Sequence, residues 1–177
     1  IVRILIDYRP ALRHRTGAGL WIAGLVEALA RQDAATRPDL TVFSSSWKDR
    51  LTTALPTGVH AVDRRVPVRC LNWLWHRHQW PPVEALARGP FDVVHSPTPL
   101  LIPTRGAAQM VTIHDLDFLE HPERSVREIR RDYDRLAREH ARQADVVVVS
   151  SHYTAGCVQS TFNLCSERVV VCPCGPR

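Results

Sequence analysis

Lysine is almost missing from this sequence of 177 residues. Lys48 is the only one, so the formal charge of +5 at pH 7 is an arginine charge. Arginine suits phosphates and anionic lipid, but a GC-rich genome produces the same bias, and the charge alone names no partner. Also missing is any apolar run near the roughly 20 residues that a membrane-spanning helix needs. The first apolar stretch lacks the basic flank and small-residue cleavage site of a secretory signal, so a soluble, cytoplasmic chain is expected. The five cysteines, Cys70, Cys157, Cys165, Cys172 and Cys174, share no CxxC spacing, and the last two stand one residue too close for paired zinc ligands. Reduced thiols and no metal are the expectation. Without an HExxH motif, a Ser/His/Asp order or a paired-carboxylate pattern, hydrolase readings have no support. No internal repeat or low-complexity linker interrupts the chain, and its length fits one domain over residues 1–177.

What is present alternates. Residues 1–7 read as a strand stopped by Pro10, and residues 20–31 as a helix with Ile22, Leu25, Val26 and Leu29 on one face. Residues 40–44 read as a strand, 47–55 as a short helix and 59–62 as a strand. Residues 70–88 carry Trp73, Trp75 and Trp80 and read as a helical hairpin broken at Pro81-Pro82. The continuous apolar runs 91–96 and 109–114 read as central strands. Residues 123–144 predict a long helix with a capping box from Ser125 and Glu128; 145–150 a strand, 152–162 a helix and 168–172 a last strand follow. This order predicts an α/β fold: a doubly wound, mostly parallel Rossmann-like sheet with helices on both faces.

In such sheets ligands bind beyond the carboxyl ends of the strands. That rule gathers Asp7 and the loop to Gly19, Ser96 to Thr98, His114-Asp115, and Ser150-Ser151. Gly17-Ala18-Gly19 precede a helix and can bring backbone amides close to a phosphate or sugar; a turn that merely needs glycine has the same sequence. His114 ends a buried strand where an imidazole can meet a substrate hydroxyl. Asp115 either orients His114 or caps the loop, Ser151 reads first as a helix N-cap, and Ser96-Pro97-Thr98-Pro99 reads either as part of the site or as a rigid turn. The three tryptophans can pack the core, stack on a sugar or sit at a lipid interface beside arginines.

Taken together, the segments resemble the family 4 retaining glycosyltransferases of GT-B architecture. The resemblance is carried by Thr16-Gly17-Ala18-Gly19 before a helix with Leu25 and Leu29, by Phe91-Asp92-Val93-Val94-His95, and by Val111-Thr112-Ile113-His114-Asp115-Leu116. Ala144-Asp145 before the valines and Ser150-Ser151, and the terminal Val169-Val170-Val171-Cys172-Pro173, complete it. The resemblance implies an N-terminal, acceptor-side domain facing a C-terminal domain that holds most of a nucleotide-sugar donor. It implies hexose transfer to a glycan, lipid-linked or small-molecule acceptor with retention, no obligatory metal or other cofactor, and no nucleic-acid partner. Gly17 and Gly19 would lie toward the donor phosphate and sugar, and His114 would meet the hydroxyls of the transferred sugar. Lipid-linked acceptors in the family leave open a peripheral place at the inner membrane face. The turn begun by Pro173-Cys174-Gly175-Pro176-Arg177 would lead into the second domain, so the chain alone is expected to be inactive. Two other readings remain: a nucleotide- or glycan-binding module without chemistry, and a dinucleotide oxidoreductase, which the missing GxGxxG disfavours.

Overall fold

The computed structural model describes residues 1–12, 17–52, 54–121 and 132–175. Seven strands, β1 (Arg3–Asp7), β2 (Asp39–Ser45), β3 (Val59–Arg64), β4 (Val93–Ser96), β5 (Ala108–Ile113), β6 (Val146–Val149) and β7 (Val169–Val171), form one sheet in the order β3-β2-β1-β4-β5-β6-β7. The pairs β1–β2, β1–β4, β2–β3, β5–β6 and β6–β7 are parallel. Six α-helices are described: α1 (Ala18–Ala30), α2 (Val68–His78), α3 (Val83–Ala87), α4 (Asp117–Glu120), α5 (Tyr133–Gln143) and α6 (His152–Phe162). The order reverses between β1 and β4, where an open parallel sheet forms its ligand crevice. The apolar runs at 91–96 and 109–114 are central strands, as their lack of alternation predicts.

The chain falls into two compact units, residues 1–97 with 102–108, and residues 98–101 with 109–177. In the first unit the period of two along a strand divides the core. Ile6 of β1 and Leu40 and Val42 of β2 pack against Ile22, Val26 and Ala30 of α1. The alternate residues Leu5 and Phe43 pack against Leu71 and Trp75 of α2 and Val83 of α3. Both faces are therefore covered, α1 on one and the α2–α3 hairpin on the other. In the second unit Val111, Ile113, Val147 and Val149 pack with Ala141, Val158 and Phe162 of α5 and α6.

The break at Pro81-Pro82 falls between α2 and α3, and the Trp75 indole N–H fastens it by donating to the Pro81 carbonyl at 2.9 Å. Gln79, Arg88 and Asn163 take left-handed conformations just past α2, α3 and α6, ending each helix. The helix expected over 47–55 is absent among its described residues. Ser46 Oγ accepts the N–H groups of Lys48 and Asp49, as at a helix start, but the Leu51 N–H, which a helix would give to the Trp47 carbonyl, goes to the Asp63 carboxylate instead. The long helix expected over 123–144 is described as α5 from Tyr133 onward; residues 122–131, with Ser125 and Glu128, lie outside the described residues. Helix α4 was not expected. Its four residues are too few to show a period, and the Asp115 carboxylate accepts the Asp117 N–H at 3.1 Å at its start.

Candidate functional site

At the switch point, β1 ends in Asp7 and β4 in His95-Ser96, all three buried. The segment after β1 leads to Gly17, which opens α1 with φ +53 and ψ −121, a conformation that a side chain strongly disfavours. A methyl group added there meets nothing within 4 Å, so the glycine is required by the backbone angle and not by crowding. Gly17 is exposed, whereas Gly19 is buried in line with Ile22, Val26 and Ala30. The two glycines differ: Gly17 shapes an exposed helix entrance whose first amides have no intrahelical acceptor, and Gly19 lies on the buried side of α1. Ala18 stands between them, half-buried. The indole of Trp21, one turn into α1, meets the His95 ring edge-on at 5.9 Å and so ties the helix to the end of β4.

Asp7 is committed to Arg9. Its carboxylate accepts the Arg9 backbone N–H at 3.0 Å and the guanidinium at 2.9 and 2.7 Å. The other arm of Arg9 donates to Asn72 Oδ1 at 2.8 Å, and the guanidinium lies 4.7 Å from the Trp75 ring centre. One cation therefore joins the end of β1 to the middle of α2. Nothing in the local sequence announces this pairing, because Asn72 is 63 positions away.

In the second unit His114 follows β5 and is half-buried. Burial pushes its pKa below the usual histidine value, and the nearby negative charge of Asp115 opposes the shift without reversing it. The imidazole is thus held neutral near pH 7, with one ring nitrogen able to donate and the other to accept. Its backbone carbonyl accepts the Ser150 hydroxyl at 3.2 Å, which joins the carboxyl ends of β5 and β6. Asp115 is exposed and its carboxylate accepts the Asp117 N–H where α4 begins, and its charge also adds to the effect of burial in raising Tyr133 to about 12. The Tyr133 ring meets Phe118 of α4 edge-on at 5.0 Å. Ser151 is an N-cap: its Oγ accepts the Thr154 N–H at 3.1 Å at the start of α6.

The sequence-derived residues thus divide between the units. Gly17, Ala18, Gly19 and Ser96 belong to the first, at the switch point; His114, Asp115 and Ser151 belong to the second. Among the described residues no group of three or more His, Cys, Asp or Glu side chains is arranged to hold a metal ion. All five cysteines are free.

In the first unit the helix entrance at Gly17 offers backbone donors suited to anionic oxygens, and in the second unit the neutral His114 imidazole suits hydroxyls. A family model described as Glycosyltransferase Family 4 matches residues 15–176. No curated protein matches the chain.

Proposed function

We propose, since this chain belongs to glycosyltransferase family 4, that it forms the acceptor-side half of a retaining hexosyltransferase. The donor is a nucleotide-activated hexose and the acceptor a glycan, a lipid-linked molecule or a small molecule. A C-terminal half holds most of the donor, and transfer needs both halves. No metal or organic cofactor takes part. The protein acts in the cytoplasm, at the inner membrane face when its acceptor is lipid-linked.

The observation that carries the reading is Gly17. It opens α1 beside the switch point in a backbone conformation reserved for glycine, with free space around its α-carbon. Free amides at a helix entrance attract negative oxygen through both hydrogen bonding and the helix dipole, and a diphosphate carries that oxygen. Gly17 and Gly19 lie toward the donor's phosphate and sugar. His114, neutral through burial, accepts from or donates to a hydroxyl of the transferred hexose. Asp115 keeps α4 and the loop after His114 in place, and Ser151 does the same for α6.

The test is a donor screen on the full-length protein. Nucleotide release from a panel of nucleotide hexoses is followed for the wild type and for Gly17→Val. Release from at least one donor, lost in Gly17→Val while its melting transition persists, supports the reading. Release that is unchanged in Gly17→Val removes the helix entrance from the donor site.

A further inference from the structure

Arg9 fixes more than a link between β1 and α2. Its Nη1 donates to the Asn72 side chain at 2.8 Å, and since a guanidinium can only donate, the atom it meets is the amide oxygen. The NH2 group of Asn72 is thereby turned away from Arg9. It takes no partner among the described residues and is not sealed in the interior, so solvent reaches it. Three of the five guanidinium N–H donors of Arg9 are taken by Asp7 and Asn72, which leaves two. The Arg9 side chain is 12% exposed.

Both residues stand on the carboxyl side of the sheet, within the first unit. Arg9 lies two residues past β1, and α2 begins four residues past β3. Ligands of an open parallel sheet gather on that side, at the reversal that β1 and β4 form. What Arg9 and Asn72 offer there is donors, with neither an acceptor nor a net charge. The Asp7 carboxylate, 3% exposed, neutralises Arg9 and is closed to a ligand, and Asn72 Oδ1 is turned to Arg9. A carboxylate or phosphate would meet no net positive charge from this group, and a hydroxyl would bring a proton that it does not accept. An uncharged amide carbonyl brings two lone pairs and no proton, and so fits best.

We infer that Asn72, positioned by Arg9, binds the molecule that receives the sugar, donating its amide NH2 to an uncharged amide carbonyl such as an N-acylated sugar carries. The inference rests on the proposed function, because it names the acceptor class of that site, but carbonyl binding is measured without sugar transfer, so each fails separately.

The experiment is saturation-transfer NMR on the full-length protein with the methyl glycosides of N-acetylglucosamine, N-acetylgalactosamine, glucose, galactose and glucuronic acid, each titrated to a dissociation constant. At least one N-acetyl glycoside is expected to bind about tenfold more tightly than its parent hexoside and than the glucuronide, the worth of a hydrogen bond or two. Asn72→Asp keeps an oxygen for Arg9 and replaces the outward NH2 by a second oxygen. Its melting should stay close to wild type, while the N-acetyl preference falls about tenfold. Asn72→Leu, which also removes the bond to Arg9, should lose both stability and preference. Equal binding of N-acetyl and parent glycosides, tighter binding of the glucuronide, or an N-acetyl preference kept by folded Asn72→Asp overturns the inference. Should Asn72→Asp melt early, the wild-type panel still decides. Nucleotide release from a donor by the wild type is recorded beside it, and its absence faults the transferase reading without touching carbonyl binding.

Discussion

The backbone N–H of Leu101 donates to Nδ1 of His140 over 2.9 Å in the buried interior of the second unit. That bond requires a neutral ring with its proton on Nε2. Burial lowers the His140 pKa; Glu139 pulls it back up and Arg135 pushes it further down. The folded state therefore takes up a proton less readily than the unfolded chain. The stabilisation is complete above the unfolded value of about 6.5 and is lost progressively as pH falls below it, until the depressed folded value is passed. His114 is depressed by burial in the same direction. The denaturation midpoint should therefore fall between pH 7 and pH 5. His140→Ala should weaken the fold by about 1–3 kcal/mol at pH 7, by leaving the Leu101 N–H without its acceptor, and should flatten the pH dependence. Urea denaturation at the two pH values checks both.

Breaking the Asp7–Arg9 pair from one side should cost more than removing it whole. Asp7 is buried and Arg9 largely so, and Arg9 also holds Asn72 and covers Trp75. Asp7→Ala strands a buried cation and should destabilise by roughly 3–5 kcal/mol, whereas Asp7→Ala/Arg9→Met should recover part of that loss. A double-mutant cycle from chemical denaturation gives the coupling. Additive losses would show that the two charges act independently.

Gly17→Ala should cost about 1–3 kcal/mol, from backbone strain at φ +53 and not from a clash, because the space around the α-carbon is open. Gly24 of α1 has equally open space and lies within the helix without a positive φ, so Gly24→Ala should be neutral or stabilising. Thermal melting of the two variants side by side separates conformation from crowding.

Ser151→Ala should lower stability by about 1 kcal/mol through loss of the bond to the Thr154 N–H, while leaving sugar transfer by the full-length protein intact. A large loss of transfer with unchanged melting would make Ser151 a ligand contact instead of a cap.

The central strands were readable because runs such as Val146–Val149 are apolar without alternation, which only a sheet covered on both faces accommodates. Helix α6 was readable at both ends, from the Ser151 cap and the residues that follow it. The segment 47–55 does not run on as a helix because the Leu51 N–H goes to Asp63, a contact twelve positions away and invisible to local periodicity. Gly17 and His114 stand beyond strand ends, as the order of elements in the sequence places them, while the Arg9 link to Asn72 exists only after β1 and α2 are assembled. The tryptophans fall on both sides of this line. Trp75 shares the four-residue step of Leu71 and is core, and Trp73 is turned to the opposite side of the same helix.

The central claim is hexose transfer with retention, assisted by His114. The most direct measurement is product formation by the full-length protein from a nucleotide α-hexose, with the anomeric configuration read by NMR and rates compared for wild type and His114→Ala. The account predicts an α-linked product and a loss of roughly tenfold in His114→Ala, the worth of one hydrogen bond to a sugar hydroxyl. A β-linked product, an unchanged rate in His114→Ala, or no transfer and no nucleotide release from any donor by the folded protein would contradict it.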